Sequence, residues 1–255
     1  MKIASWNVNS LRARHDLVLD WLRRTEPDIL CMQETKVLDD EFPTEVFQRL
    51  GYAVVMCGQK SYNGVAIASR KLMRDIRIGL LDDAPNAEKR LISATVGKTQ
   101  VFCCYVPNGQ RLDSQNYVQK LRWLKQLRAT LDAWADPAKD VVVCGDFNIA
   151  TDARDLYSVE AFAGQTHFSE PERAALEEVK AFGLRDCFRL HESEGDHFTW
   201  WDYRGGSLRK NEGLRIDYIF ASESLARRCD SVVHDKAERE LDKPSDHVPV
   251  IAEFG

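Results

Sequence analysis

The sequence predicts a layered α/β domain in which two β-sheets pack face to face with helices outside. Three observations carry this. Short β-rich runs recur along all 255 residues, and amphipathic helical patterns fall between only some of them. No linker, short-period repeat or low-complexity tract divides the chain. A single parallel Rossmann sheet would need a helix after nearly every strand, and this chain lacks them.

Taken in order, the first run is "KIASW". A helical pattern from about Leu11 to Arg24 buries Leu17, Trp21 and their neighbours, and Glu26-Pro27 closes it before the strand "DILCMQ". Further runs are "YAVVMC", "GVAIAS", "LISATV" and "QVFCCYV". From about Ser114 to Trp134, Tyr117, Leu121, Leu124, Leu127, Leu131 and Trp134 recur at three- and four-residue steps. They form one apolar stripe, so these aromatics belong to the core and not to a base-stacking platform. "DVVVCG" follows, then a helical pattern over 172–182, and "RIDYIFA", "CDSVVH" and "VPVIAEF" complete the strands.

With 44% hydrophobic and 29% charged residues, the chain can bury a sizeable core, and a single domain over 1–255 is expected. No apolar run approaches the roughly 18 residues of a membrane helix. The start, "MKIASWNVNS", has no apolar signal-peptide core and reads as a first strand. Seven scattered cysteines without a C-x-x-C pair argue against a disulfide framework or structural zinc and for a reducing cytoplasm. The net charge of −5 gives no global sign of nucleic-acid binding, although phosphates respond to local patches. One candidate patch is "YRGGSLRKNEGLR", where Arg204, Arg209, Lys210 and Arg215 face Glu212; taken alone, a charge run reads as a solvated loop.

The polar residues are more telling, because they interrupt apolar strands at their ends. Asn7 follows the first strand; Gln33 and Glu34 end the second; Tyr105 and Asn108 end "FCCYVPN". Asp146 and Asn148 end "VVVCGDFN", Asp217 sits within "RIDYIFA", and Asp246-His247 precede the last strand. Each has a plain reading: Asn-x-Asn as a turn, Asp217 as a structural hydrogen bonder, Asp-His as a cap. If the strand ends converge, the set becomes a pocket of carboxylates, amides and one histidine. Oxygen ligands such as Glu34, Asp246 and Asn7 suit magnesium or manganese. Neither a zincin helix, a G-x-S-x-G elbow nor a P-loop is present. Metal-assisted hydrolysis remains, with Asp146 on the water, His247 on phosphoryl charge and Asp217 fixing the imidazole.

The motifs "WNVNSLRAR", "DILCMQETK", "NGVAIAS", "YVPNG", "GDFNIA", "FTWWDYRGG", "GLRIDYIFAS" and "KPSDHVPV" span residues 3 to 254. In this order they resemble the exonuclease III family of DNA-repair nucleases, within the endonuclease/exonuclease/phosphatase superfamily that includes DNase I. The resemblance implies a four-layer αββα sandwich with the active site at one end of the sheets. It implies Glu34, with Asn7 nearby, as the main Mg²⁺ site, Mn²⁺ able to substitute, and Asp146, Asn148, Asp246 and His247 as overlapping ligands. It gives Asp146 the role of activating water, Asn148 that of orienting water and phosphate, and Tyr105 a phosphate contact. His247 is the phosphoryl contact paired with Asp217. Gly145 either lets the backbone approach the phosphate or simply makes the strand-end turn.

The implied substrate is double-stranded DNA with abasic sites or damaged or recessed 3′ ends, handled by a monomer in the cytoplasm, on the nucleoid and away from membranes. Phe168, Trp200 and Leu214 would line a pocket for a flipped, base-less sugar. The position before that phenylalanine is commonly glycine or serine in the family, but here it is His167. Its imidazole either swings out to solvent or DNA phosphate, or fills part of the pocket and weakens abasic incision. Among alternatives, "FTWWDYRGG" argues against a superfamily phosphatase acting on an inositol phosphate or lipid. A calcineurin-like enzyme would need D-x-H and G-N-H motifs that are absent, and a catalytically silent DNA-binding module would not keep Glu34, Asp146, Asn148, Asp217 and His247 together.

Overall fold

Burial on both faces sorts the strand-forming runs into two stacked sheets. The structure, a computed structural model, describes residues 1–255. The chain begins β1 (Lys2–Asn7), α1 (His15–Thr25), β2 (Ile29–Gln33), α2 (Thr44–Arg49), β3 (Ala53–Cys57) and β4 (Val65–Ser69). It continues β5 (Met73–Ile78), β6 (Leu91–Val96), β7 (Thr99–Tyr105), α3 (Gln115–Trp134), β8 (Val141–Asp146) and α4 (Glu170–Lys180). Then come β9 (Leu184–Asp186), β10 (Trp200–Trp201), α5 (Ser207–Lys210), β11 (Gly213–Leu214) and β12 (Asp217–Ser222). The last elements are α6 (Glu223–Ala226), β13 (Cys229–His234) and β14 (Val250–Phe254).

One sheet has the order β13-β14-β1-β2-β4-β3 and the other β5-β6-β7-β8-β12-β9, with β10 and β11 forming a separate short ribbon. Residue parity decides which side each side chain takes. Ile3, Ile29, Cys31 and Ile67 face Ile92, Val101, Cys103, Val142, Cys144 and Ile219 across the gap between the sheets. The alternate residues Ala4, Trp6, Leu30 and Met32 pack outward on Val18, Trp21 and Leu22 of α1 and Phe47 of α2. On the opposite outer face, Phe102, Val143 and Phe147 pack on Leu124, Leu127 and Leu131 of α3 and Leu176 and Val179 of α4. The result is the four-layer αββα sandwich. Each fully buried leucine of α3 contributes roughly 1.5–3 kcal/mol of apolar transfer.

The helix ends follow local chemistry. α3 starts where the Ser114 hydroxyl accepts the Tyr117 N–H at 3.1 Å. α4 starts at Glu170, two residues before the expected 172, because Ser169 and Glu172 form a capping box. α1 starts at His15, since residues 11–14 are turns, and Leu17 is only half-buried while Val18, Leu19, Trp21 and Leu22 are buried. Its end is a left-handed Glu26, φ 45°, just before Pro27. β5 has no counterpart among the sequence-predicted strands: five of its six residues are exposed, so an edge strand pairing on one side shows little apolar pattern. All seven cysteines are free and buried. No helix is long and apolar enough to cross a membrane.

Candidate active site

The pairing pattern brings the polar strand ends to one edge. β1 runs parallel to β2 and β7 parallel to β8, so Asn7 pairs with Gln33 and Tyr105 with Asp146 at their carboxyl ends. β12 runs antiparallel to β8, which puts its first residue, Asp217, opposite Asp146. A rigid core strand thereby delivers Asp146 to a fixed point. Gly145 before it has φ 144°, and a Cβ there would lie 1.9 Å from the Cys104 carbonyl oxygen of β7. The close approach of the neighbouring strand by itself requires glycine here.

Asn7 ties the two sheets together. Its Nδ2 donates to Glu34 Oε1 at 2.8 Å and to Asp146 Oδ2 at 2.9 Å, while its Oδ1 accepts the Asn9 N–H at 3.0 Å. It thus turns its amino group to the carboxylates. The other Asp146 oxygen accepts the Asn148 N–H at 2.9 Å. Lys36 Nζ lies 2.8 Å from Glu34 Oε2. Burial pushes the Glu34 carboxyl up, but the Lys36 charge and the hydrogen bonds from Lys36 and Asn7 outweigh it and hold the group below its ordinary range. Asp146 goes the other way: burial, with Asp217 and Glu34 nearby, raises it to about 7 despite His247 and Asn7.

His247 Nδ1–H donates to Asp217 Oδ2 at 2.8 Å, and its Nε2 is 3.7 Å from Asp146 Oδ2. The Thr199 hydroxyl donates to the same Asp217 oxygen at 2.6 Å. Asp246 sits beside this pair with both oxygens engaged: Oδ2 accepts from the Trp200 indole at 3.0 Å and Oδ1 from Asn9 Nδ2 at 2.9 Å. Tyr105 carries the Arg90 guanidinium 4.6 Å from its ring centroid. Burial, reinforced by Glu34 and Asp146, pushes its phenol up, so it remains a proton donor. Asn148 has a left-handed backbone, φ 53°; its Nδ2 donates to the Val106 carbonyl at 3.0 Å and its Oδ1 accepts from Asn108 Nδ2 at 3.1 Å.

These groups line a cavity of about 170 Å³ formed by Glu34, Tyr105, Asn108, Asp146, Asn148, His167, Trp200, Ile216, Asp246 and His247. Asp217 supports it from behind His247, and Asn7 through its two carboxylate contacts. Carboxylate oxygens of Glu34 and Asp146 and a His247 nitrogen lie within 4.8 Å of one another. Oxygen donors of this kind suit a hard divalent cation.

Of the expected sugar-pocket residues, Trp200 lines the cavity, but Leu214 is buried at 1% exposure behind it and Phe168 packs beside Leu214 under Arg173. Ile216 takes the lining position instead. It was legible only as one of two apolar residues flanking Arg215. His167 does not swing out: Nδ1–H donates to the Asn148 carbonyl at 2.7 Å, and its φ is 76°. Burial and the Lys120 charge push this imidazole down to about 4, so it stays neutral. Arg215 leaves the suspected basic patch altogether; it is fully buried, with Nε 2.6 Å from Asp155 and Nη2 2.7 Å from Asp186. Lys36, Asn9 and Ile216 were not anticipated, although Lys36 stands within the quoted "QETK".

Residues 4–247 match the Endonuclease/Exonuclease/phosphatase family. The chain is 35% identical to exodeoxyribonuclease III of Haemophilus influenzae over 266 aligned residues covering 100% of both. An AP endonuclease from Archaeoglobus fulgidus has a structure similar at TM-score 0.94 and 40% identity, over 100% of this chain and 99% of that one. A 3′ phosphatase from Neisseria, solved with a product DNA hairpin, reaches TM-score 0.95 at 40% identity with the same coverage. With the strand-end carboxylates and the His247–Asp217 pair already in place, the chain belongs to the exodeoxyribonuclease III branch of the endonuclease/exonuclease/phosphatase family.

Proposed function

We propose that this protein is a Mg²⁺-dependent DNA-repair nuclease of one domain, acting as a monomer in the cytoplasm on nucleoid DNA, that hydrolyses phosphodiesters at damaged or recessed 3′ ends and, more weakly, at abasic sites. The observation that carries the reading is Asp146, whose two oxygens are held by Asn7 and Asn148 while His247 faces the oxygen that Asn7 holds.

In this reading Asp146 accepts a proton from the attacking water as the water oxygen bonds to phosphorus and the bond to the leaving oxygen breaks. Asn148, braced by Val106 and Asn108, orients water and phosphate. Tyr105 donates a hydrogen bond from its phenol, keeping its proton, to a phosphoryl oxygen, and the His247 imidazolium, held charged by Asp217 and Asp146, balances the negative charge that develops there. Glu34 and Asp146 would hold the cation, with Asn7 donating to both carboxylates and Asp246 beside them. The cation would supply positive charge at the leaving oxygen. Because phosphoryl transfer depends chiefly on positioning and charge, a preassembled cluster on rigid strand ends suits it.

His167 supports the preference for 3′ ends. Its neutral ring stands in the cavity beside Trp200 and Ile216, where a base-less sugar from inside a duplex would have to enter. A terminal nucleotide approaches without that insertion. The test is the purified protein with Mg²⁺ on four matched substrates: an abasic duplex, a recessed 3′ end, a 3′-phosphate and an RNA/DNA hybrid. Processing of the 3′ substrates ahead of abasic incision is expected. Abasic incision at an equal or higher rate would overturn the preference, and inactivity on all four would overturn the nuclease reading.

A further inference from the structure

Behind the cavity lies a charged pair with no surface at all. Lys120 of α3 and Glu172 of α4 are both fully buried, with Lys120 Nζ 2.5 Å from Glu172 Oε1. Removing two charges from water is costly, and apolar replacements of such pairs are often as stable or more so, which makes fold stability a weak reason for this one. What the pair touches supplies a better reason. Lys120 also donates to the backbone carbonyls of Asn108 at 3.0 Å and Asn148 at 2.7 Å. Glu172 Oε1 accepts the His167 N–H at 3.0 Å, and Oε2 accepts the Ser169 N–H at 3.0 Å and hydroxyl at 2.6 Å.

One ammonium and one carboxylate therefore tie together the loop after β7 and the two ends of the loop between β8 and α4. These three segments each present one residue to the cavity: Asn108, Asn148 and His167. Two of these, Asn148 and His167, have left-handed backbones at φ 53° and 76°. Non-glycine residues keep that conformation only where their surroundings over-determine it. The Asn148 carbonyl is held from two directions, by Lys120 and by the His167 ring.

We propose that Lys120 and Glu172 are positioning residues for the phosphodiester reaction, locking these segments so that Asn148 faces the reacting phosphate, with its carbonyl braced by Lys120 and the His167 ring, without rearranging at each turnover. Neither side chain touches substrate. The gain is one of geometry, where a misplacement of about 1 Å can cost on the order of a hundredfold in rate. The kinetic arm of the test rests on the nuclease reading; the structural arm does not.

Three variants of the full-length protein separate the possibilities. Glu172→Gln keeps the shape and removes the charge, Lys120→Met removes charge and donors, and Lys120→Arg keeps the charge. Hydrogen exchange is followed in segments 146–150 and 166–172, and kcat and KM are measured with Mg²⁺ on a recessed 3′ end. Glu172→Gln and Lys120→Met should speed exchange in those segments by about tenfold or more, with the strands of both sheets unchanged. They should lower kcat by roughly 10- to 100-fold with KM nearly constant, and Lys120→Arg should recover part of the loss. Wild-type exchange in both segments, or an unchanged kcat, overturns the proposal. Exchange accelerated uniformly across the sheets also overturns it, since the pair would then be ordinary core. If the wild type releases no nucleotide, the nuclease reading fails, and the exchange data alone still decide whether the loops are locked.

Discussion

The Nδ1–H of His247 donates to Asp217 Oδ2 at 2.8 Å, while the far nitrogen of the same ring faces Asp146 at 3.7 Å. Burial alone would strip the proton from this imidazole, but the charges of Asp217 and Asp146 outweigh it and raise the group to about 10. Both observed contacts of Asp217, from His247 and Thr199, fall on one oxygen. Asp217 acts by keeping His247 charged and aimed.

This arrangement fixes the direction of the pH dependence. Asp146 is raised from 3.8 to about 7, so a rising fraction becomes the base form as pH climbs through that value. At limiting Mg²⁺, kcat/KM should increase with pH across this window. A cation beside Asp146 favours its charged form, so saturating Mg²⁺ should move the rise to lower pH. For folding the sign is opposite: with a raised folded value, the stability linked to Asp146 is full below 3.8 and is lost as pH rises through about 7. Rate profiles at two Mg²⁺ concentrations check the first statement, and urea titrations of the metal-free protein across the same pH range check the second.

Asp146→Asn keeps the hydrogen-bonding shape and removes the base. Turnover should fall by a factor of roughly 10² to 10⁴. DNA affinity, measured by fluorescence anisotropy on an uncleaved duplex, should hold or improve as a negative charge leaves the phosphate site. Near-normal turnover would remove Asp146 from its assigned role.

Chelation should abolish activity. Exhaustive treatment with EDTA followed by dialysis is expected to leave no measurable nucleotide release, with Mg²⁺ or Mn²⁺ restoring it and Ca²⁺ restoring less, because Ca²⁺ prefers a larger, looser oxygen shell. Activity that persists through chelation would exclude the Glu34–Asp146 cation site.

His167→Gly removes the ring and places at φ 76° the one residue that tolerates that backbone without cost. Emptying an occupied pocket costs on the order of 1–3 kcal/mol, which corresponds to as much as about a hundredfold in rate. Abasic incision should rise selectively on matched duplexes while 3′-end release stays near wild type. An unchanged ratio would make His167 an incidental neighbour of the site.

Asp155→Asn tests the buried cation beneath the cavity wall. Asp155 binds both Arg215 and Arg189 while Arg215 keeps Asp186, so its loss leaves the buried charge partly compensated and costs less than the roughly 3–5 kcal/mol of a stranded one. Thermal unfolding should show a clearly lower Tm. Burial favours the protonated carboxyl, yet the Arg215 and Arg189 charges hold it well below its ordinary range, so this contribution is present above the unfolded value and is lost only as pH falls through the folded one. The variant's deficit in Tm should therefore shrink in strong acid.

Periodicity made much of this legible in advance. α3 and the long strands announce themselves because a buried face repeats at the period of its element, as in Leu124, Leu127 and Leu131. β5 stayed hidden, since an exposed edge strand has no buried face to repeat. Glu34, Asp146, Asp217 and His247 stood out because each is a polar residue at the end of an apolar run, where only a site or a cap explains it.

The layers, the family resemblance and the chemical types at the strand ends were thus readable from residue order alone. Which partner each group meets was not. Asn7 offers its amino group to two carboxylates on different sheets, Gly145 yields to the Cys104 carbonyl, and Arg215 turns inward to Asp155 and Asp186. Ile216 replaces Leu214 at the cavity, and His167 is pinned to the Asn148 carbonyl. The physical reason is range. Burial periodicity is a local property carried by neighbouring residues, whereas hydrogen bonds and ion pairs form over a few ångströms between segments that strand order and register bring together from distant parts of the chain.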